Sequence, residues 1–133
     1  MLSYQHIYHA GNLADVHKHS MLSWVLDYMT RKDKPLSYME THAGRGLYDL
    51  TDAAAIKTGE AAQGIARAAD WFAADHPYSQ VRARIRAKHG ENAYPGSPAV
   101  AAQSIRPMDS MYLSELHPQE FAALQSNMAP YGG

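Results

Sequence analysis

The chain has 133 residues, no cysteine and a formal net charge of −1, because 12 lysine and arginine residues stand against 13 acidic ones. The length suits one domain but is short for a complete doubly wound α/β fold, and the lack of cysteine excludes disulfides and thiolate metal sites. We therefore expect a cytoplasmic protein, with no secretory signal and no membrane span. The near-neutral charge means that any nucleic-acid surface has to be a local patch.

The first third of the chain predicts an irregular segment, a helix and a strand. Asn12 can cap a helix that runs to about Arg31 and ends at the lysine-rich stretch before Pro35. At helical spacing its buried face would carry Leu22, Val25, Leu26 and Met29. Residues 36–41 then have strand character.

A glycine-containing loop follows this strand. Glu40 stands at the carboxyl end of the strand, and Gly44 and Gly46 come directly after it. Glycines at such a point let the backbone turn tightly and approach a ligand, as in pockets for S-adenosylmethionine (SAM) or a dinucleotide. The same pattern also fits a plain tight turn that leaves a core strand, because short glycine motifs are common.

The remaining chain is mostly helical. We predict one helix from about Thr58 with Ile65, Ala68, Ala69 and Phe72 inward, a break at His76–Pro77, and a second helix with Val81 and Ile85 inward that stops at Gly90. Residues 94–98 predict a turn, with Ser97 and Pro98 as the cap and first turn of a helix to about Ile105. Residues 109–116 predict a second strand, and His117 opens a last helix to about Met128 with Phe121 and Leu124 inward.

The second strand ends in an acidic residue, Glu115. In nucleotide-binding βαβ units an acidic residue about 20 positions after the glycines takes the ribose hydroxyls. Glu115 lies much farther along the chain, which an insertion of the helical segment from about residue 52 to 107 would explain. The insertion predicts that residues 36–41 and 109–116 form adjacent parallel strands. Alternatively, Glu115 is an ordinary polar residue facing solvent.

Histidines cluster near the amino terminus. Asp15 and His19 are four residues apart and share a helix face, which makes them a possible metal pair with His42 as the nearest further donor. A solvated structural face is the commoner explanation of such residues. A third interpretation is that Lys18 and His19 border the same pocket as the glycine loop.

Four motifs resemble one family. Residues 9–19 (HAGN-x-ADV-x-KH), 41–46 (THAG-x-G), 94–98 (YPGSP) and 114–118 (SELHP) are similar, in order and approximate spacing, to motifs of the RlmJ family of SAM-dependent 23S rRNA adenine-N6 methyltransferases. The resemblance covers essentially the whole chain. It implies an α/β, Rossmann-like SAM methyltransferase core with a partial sheet and an inserted helical subdomain.

The resemblance also implies roles for single residues. His19, His42 and Ser97 resemble SAM contacts, Lys18 a neighbouring pocket residue, and Glu115 the carboxylate that takes the ribose hydroxyls. Gly44 and Gly46 would complete the cofactor site, and Tyr4 resembles a tail tyrosine that acts near the target adenine. No metal ligand is implied.

One departure from the family is large. Its members continue for roughly as many residues again, and that part carries an Asp-Pro-Pro-Tyr loop that holds the adenine amino group. No Asp-Pro-Pro or Asn-Pro-Pro occurs in this sequence. We therefore expect no catalytic residue in this chain, and cofactor binding at best.

These observations lead to a three-part description. Residues 1–51 would hold the first helix, the first strand and the glycine loop, residues 52–107 the inserted helical subdomain, and residues 108–133 the second strand and last helix. The expected partner is 23S rRNA, as naked or pre-assembly RNA, contacted through basic residues of the 82–88 or 31–34 stretches unless these are merely solvated. An exposed sheet edge would favour a homodimer. The alternative is a truncated, non-catalytic SAM- or RNA-binding module.

Overall fold

A computed structural model describes residues 4–131 of the chain, as a mixed α/β structure with small sheets and several helices. Its helices are α1 (Leu13–Met29), α2 (Ala53–Thr58), α3 (Glu60–Gln63), α4 (Ile65–Ala68), α5 (Pro77–His89), α6 (Ser97–Ser104) and α7 (Pro118–Met128). The strands are β1 (Ser37–Glu40), β2 (Leu47–Asp49), β3 (Ala93–Pro95) and β4 (Ser110–Leu113). Short 3₁₀ turns cover His6–Tyr8, Ala69–Trp71 and Ala129–Tyr131. Within residues 4–131, no helix has the length and apolar character of a membrane span.

Strands β1 and β4 lie side by side and run parallel, which confirms the prediction made from the displaced Glu115. Ser37 pairs with Ser110 and Glu40 with Leu113 at the two ends of the ladder. Both strands are shorter than predicted, so Glu115 lies in the loop after β4 and not in the strand. The pairing continues into the loops, since the Ala43 amide donates to the Ser114 carbonyl at 2.9 Å. The carboxyl ends of both strands therefore meet at one place.

A second, antiparallel sheet was not predicted. Strand β2 pairs with β3, where Tyr48 stands opposite Tyr94. The sequence analysis assigned residues 94–98 to a turn, because proline and glycine dominate that stretch. The ladder has only three residue pairs, and Pro95 occupies its end, where a missing amide is tolerated. A three-residue strand leaves no periodicity that a sequence can display.

Helix α1 begins where it was predicted, but it buries a different face. The Asn12 side chain accepts from the Asp15 amide and caps the helix. Val25 and Met29, which we expected inside, are exposed, and the buried face instead carries polar groups. The buried residues are Asp15, Val16, His19, Ser23 and Leu26. Each of the three polar side chains has a hydrogen-bond partner inside the protein, which is the condition for burying such groups.

The predicted long helix after Thr58 is broken into short pieces. Gly59 adopts a left-handed conformation with φ of 68° and separates α2 from α3, and Gly64 separates α3 from α4. At Gly64 the cause is contact, because a β-carbon there would lie 2.1 Å from the Gly11 carbonyl oxygen. Ile65 and Ala68 are buried as predicted.

The later helices follow the predictions more closely. His76 and His117 cap α5 and α7 by accepting backbone amide hydrogens, and each is followed by a proline at the first helical position. Val81, Ile85 and Leu124 are buried, whereas Phe121 is 41 % exposed and is a wrong assignment. Helix α6 begins at Ser97 itself, with Gly96 as its cap, so the Ser97 hydroxyl does not cap the helix.

Candidate functional site

A cavity of about 570 Å³ opens beside the carboxyl ends of β1 and β4. Its walls come from the amino-terminal segment, from α1, and from the loops after β1, β3 and β4. The lining residues are Tyr4, His6, Lys18, His19, Thr41, His42, Ala43, Gly44, Tyr48, Gly96, Ser97, Glu115, Leu116, His117 and Glu120. A volume of this size is typical of pockets for drug-sized ligands and cofactors.

Seven of the eight residues predicted for the site lie in this lining: Tyr4, Lys18, His19, His42, Gly44, Ser97 and Glu115. Gly46 does not lie in this lining, and its role as a cofactor contact stays a prediction. It has φ of 80°, and a β-carbon on it would lie 3.1 Å from Leu124 Cδ1 and 3.2 Å from Met128 Sδ. This glycine therefore allows the loop to pack against α7.

Glu115 is fixed by backbone amides on both sides. Its Oε1 accepts from the Gly44 amide and its Oε2 from the His117 amide, each at 2.8 Å. A carboxylate oxygen can accept more than one hydrogen bond, so both oxygens keep acceptor capacity towards the cavity. The side chain thus joins the loop after β1 to the loop after β4 and stays available to a ligand.

Gly44 is needed for a reason other than the one the sequence suggested. We expected a β-carbon to collide with a ligand, but the nearest atom is the Tyr48 hydroxyl oxygen, 2.6 Å from that position. The residue also has φ of 69°, which side chains other than glycine rarely adopt. The constraint at Gly44 therefore comes from the protein itself.

His19 projects from α1 into the wall of the cavity. It is 2 % exposed, its Nδ1 lies 3.0 Å from the Tyr94 hydroxyl oxygen, and its Nε2 has no partner among the described residues 4–131. Burial lowers the pKa of His19 to about 4, with Lys18 and His6 acting in the same direction and Asp15 against it. The ring is therefore neutral at neutral pH, with one polar atom left for a ligand.

Ser97 and Glu40 interact with each other. The Ser97 hydroxyl donates to Glu40 Oε1, and Glu40 Oε2 is buried with no hydrogen-bond partner in the part of the chain that the structure describes. Burial raises the pKa of Glu40, and the Ser97 hydrogen bond opposes that shift. Glu40 is not part of the cavity lining, so its role is to orient Ser97.

The amino-terminal segment covers one side of the cavity. His6 Nε2 lies 2.7 Å from Asp15 Oδ2, and the Tyr4 hydroxyl oxygen lies 2.6 Å from His6 Nδ1. The Tyr4 ring stacks on His9, with 5.7 Å between centroids. These contacts place an exposed aromatic ring, Tyr4, at the cavity mouth.

Asp15 and His19, the possible metal pair, belong to no cluster of potential metal ligands within residues 4–131. Asp15 Oδ2 accepts from the Gly11 amide and contacts His6, and His19 Nδ1 contacts Tyr94. No group of three or more potential ligand side chains lies together anywhere in residues 4–131. The Asp15–His19 spacing instead reflects two buried polar contacts on one helix face.

Several lining residues were missed by the sequence analysis, among them His6, Tyr48 and Glu120. Glu120 is 3 % exposed and accepts two hydrogen bonds from Arg45, from Nε at 2.8 Å and from Nη2 at 2.7 Å. This ion pair fixes α7 to the glycine loop. The signal was available, since Glu120 lies in the first turn of a helix capped by His117 and Arg45 stands between the two glycines.

Breaking this ion pair is expected to destabilise the fold in a pH-dependent manner. The Arg45 hydrogen bonds hold the pKa of Glu120 below its usual 4.5, although burial opposes this. The stabilisation is therefore fully present above about pH 4.5 and is lost as the pH falls through the lowered pKa. We expect Glu120→Gln to lower the free energy of unfolding by about 3 kcal/mol at pH 7, with a smaller difference from wild type at pH 3. Urea denaturation at both pH values measures this.

The matched control is Asp27→Asn. Asp27 pairs with Arg31 at 2.7 Å, but both side chains are exposed, so its loss should cost less than about 0.5 kcal/mol. Equal losses in the two variants, or a Glu120→Gln effect that does not shrink in acid, would contradict the assignment.

Comparisons with known proteins identify the family. A family model described as "Ribosomal RNA large subunit methyltransferase D, RlmJ" matches residues 33–132. A relative named "Ribosomal RNA large subunit methyltransferase J" from Escherichia coli is 44 % identical over 132 residues, which cover 95 % of this chain and 46 % of the relative. A relative of the same name from Haemophilus influenzae is 38 % identical over an alignment of 135 residues, and the alignment covers 97 % of this chain and 47 % of the relative.

A solved structure agrees with these sequence matches. The crystal structure of a Legionella pneumophila protein superposes with a TM-score of 0.70 at 40 % identity, and covers 87 % of this chain and 43 % of that one. The chain thus spans about half the length of the relatives it matches. It belongs to the RlmJ family of ribosomal RNA large subunit methyltransferases.

Proposed function

We propose that this chain forms the SAM-binding half of an enzyme that methylates the N6 atom of an adenine in 23S rRNA. The observation that carries the proposal is the cavity at the carboxyl ends of β1 and β4, where ligands of open α/β sheets bind. Lys18 and His19 on α1, together with His42, Ser97 and Glu115 from three other segments, line that one cavity. The names of the E. coli and H. influenzae relatives support the substrate class.

The residues of the cavity fit SAM chemically. Glu115 offers a carboxylate with free acceptor capacity, suited to ribose hydroxyls, and His19 offers a buried nitrogen that has no partner within residues 4–131. Lys18 adds a cation that suits the carboxylate of the ligand. Donors, an acceptor and a positive charge thus surround a space of adequate size.

Such a site contributes chiefly by positioning. SAM supplies a methyl group already activated by its sulfonium, so the protein has to hold the adenine nitrogen in line within near-attack distance. The adenine has to leave its stack to reach such a pocket. Tyr4, at the cavity mouth, is the residue of this chain that we assign to the adenine side.

The fold supports a finer architectural proposal. The parallel pairing of β1 and β4, which are separated by residues 41–109, is what a Rossmann-like core interrupted by a helical subdomain at 52–107 would give. The boundaries 1–51, 52–107 and 108–133 stay a proposal, and so does the cytoplasmic location.

The alternative is a non-catalytic module that binds SAM or RNA. It is favoured by the lack of an Asp-Pro-Pro-Tyr sequence and by the exposed cations Arg84, Arg86 and Lys88 on α5. Those cations lie outside the cavity lining, so RNA bound there would not depend on the cofactor site.

Removing the charge of Glu115 tests the cofactor site. Glu115→Gln should weaken SAM binding roughly ten- to a hundredfold, because a charge-assisted hydrogen bond contributes about 1.5–3 kcal/mol. Isothermal titration calorimetry measures the affinity, and Glu91→Gln, at an exposed site outside the lining, is the control. Equal affinities in wild type and Glu115→Gln would place the cofactor elsewhere.

Activity of the isolated chain tests the role of the missing loop. We expect the 133-residue chain to transfer no methyl group to 23S rRNA fragments from radiolabelled SAM, because it lacks the loop that would hold the adenine amino group. The E. coli relative serves as the positive control. Methyl incorporation by the chain alone would refute the need for that loop.

The open sheet is expected to cause self-association. Met39 on β1 and Tyr112 on β4 are 73 % and 56 % exposed on one face, and within residues 4–131 each strand has a single neighbour. We propose a homodimer through this sheet, visible by light scattering at high concentration and lost in Met39→Lys/Tyr112→Lys. Ile56→Lys, at a distant exposed position, should leave it intact. A wild-type monomer at all concentrations would exclude the dimer.

A further inference from the structure

Two buried tyrosine hydroxyls stand in line behind His19. The Tyr94 hydroxyl oxygen lies 3.0 Å from His19 Nδ1, and the Tyr78 hydroxyl oxygen lies 2.8 Å from that of Tyr94. Tyr78 is 0 % and Tyr94 1 % exposed, so both hydroxyls are shielded from bulk solvent. The three groups form a hydrogen-bond chain that ends at His19, a residue of the cavity lining whose Nε2 has no partner among residues 4–131.

Only one direction of donation along these hydrogen bonds gives both buried hydroxyl hydrogens an acceptor. If Tyr78 donates to Tyr94, and Tyr94 donates to His19 Nδ1, both hydroxyl hydrogens have acceptors. If His19 Nδ1 carried the hydrogen and donated to Tyr94, then either the Tyr94 or the Tyr78 hydrogen would be buried without an acceptor among the described residues. Burying an unpaired donor is unfavourable, so the first arrangement is preferred.

We propose that Tyr94 is a positioning residue that holds His19 in the Nε2–H tautomer, so that the cavity presents an N–H donor to a hydrogen-bond acceptor of the ligand. The proposal rests on the proposed function for the identity of that ligand as SAM, but the tautomer itself does not depend on it. A neutral imidazole has two tautomers, and the partner of one nitrogen decides which of them forms.

The charges around His19 are consistent with a neutral ring. Burial opposes ionisation of the ring most strongly, Lys18 and His6 also disfavour a positive charge on it, and Asp15 favours one. We therefore attribute the hydrogen on Nε2 to the contact between Tyr94 and Nδ1, and not to protonation of both ring nitrogens.

The tautomer restricts what can bind next to it. An Nε2–H group accepts no hydrogen bond, so it suits a carboxylate, hydroxyl or ring-nitrogen acceptor and disfavours an ammonium group. Lys18 lines the same cavity and adds a positive charge. We assign this side of the cavity to the acceptor end of SAM, its carboxylate, and the Glu115 side to ligand donors.

The tautomer is measured directly by NMR. Two-bond ¹⁵N–¹H correlation spectra of the histidine rings distinguish protonated from unprotonated nitrogens, and His19 is assigned from the signals that vanish in His19→Gln. In the ligand-free chain we expect Nε2 protonated and Nδ1 unprotonated at pH 7. A His19 ring protonated at Nδ1, or at both nitrogens, would overturn the proposal whether or not SAM binds.

A pair of matched variants separates positioning from packing. Tyr94→Phe and Tyr78→Phe each remove one buried hydroxyl from the same chain, and neither residue lines the cavity. In Tyr78→Phe, Tyr94 can still donate to His19 Nδ1, so the tautomer should be retained. In Tyr94→Phe, His19 Nδ1 loses its hydrogen-bond partner, and we expect both tautomers in the spectrum.

Calorimetry with SAM completes the test. Tyr94→Phe should weaken SAM binding about three- to tenfold, the effect expected for one neutral hydrogen bond, and Tyr78→Phe less than about twofold. Similar losses in both variants would mean that the hydroxyls act only through packing and would contradict the proposal. If Tyr94→Phe does not fold, the wild-type and Tyr78→Phe spectra still show which ring nitrogen of His19 carries the hydrogen. If no variant binds SAM, the proposed function fails while the tautomer assignment is judged by NMR alone.

Discussion

The parallel pairing of β1 with β4 is the contact on which the candidate site depends. It joins strands that are far apart in sequence and brings their carboxyl ends together, so that the Ser114 amide donates to the Glu40 carbonyl at 2.9 Å. Beyond the strands, Glu115 continues the connection by accepting the Gly44 and His117 amides. Without this pairing, the glycine loop and the acidic residue would have no fixed relation. The cavity is therefore a product of topology as much as of its residue types.

Much of this arrangement could be predicted from the sequence. Capping residues have short-range chemistry, so Asn12 and His117 marked helix starts correctly. The break predicted at His76–Pro77 is also present, and His76 caps α5 there. The displaced acidic residue Glu115 predicted the long-range strand pairing. The positions of the lining residues came from motif resemblance, since side chains from separate segments meet through the fold and leave no periodic signal.

The predictions failed where polar side chains are buried and apolar side chains are exposed. Helix α1 turns Asp15, His19 and Ser23 inward and leaves Val25 and Met29 outside, because the polar groups find partners within the fold. A hydrophobic pattern assumes the opposite orientation. Gly46 resembled a ligand-contact glycine, but in the structure it packs against Leu124. The sequence shows that a glycine is present, but it does not show whether the close neighbour is a ligand or a side chain of the protein.

Through its two amide contacts, Glu115 holds together segments that line the cavity. A ligand bound in the cavity would therefore also stabilise the folded state. The walls are contributed by segments that meet only in the folded state, so an unfolded chain has no comparable surface for a ligand. A molecule bound there at a concentration 100 times its Kd would stabilise the folded state by about 2.7 kcal/mol through mass action alone. For a chain with small sheets and several short helices, such a gain is a large share of typical domain stability. In a cell, the supply of the ligand would then influence how much of this protein escapes proteolysis.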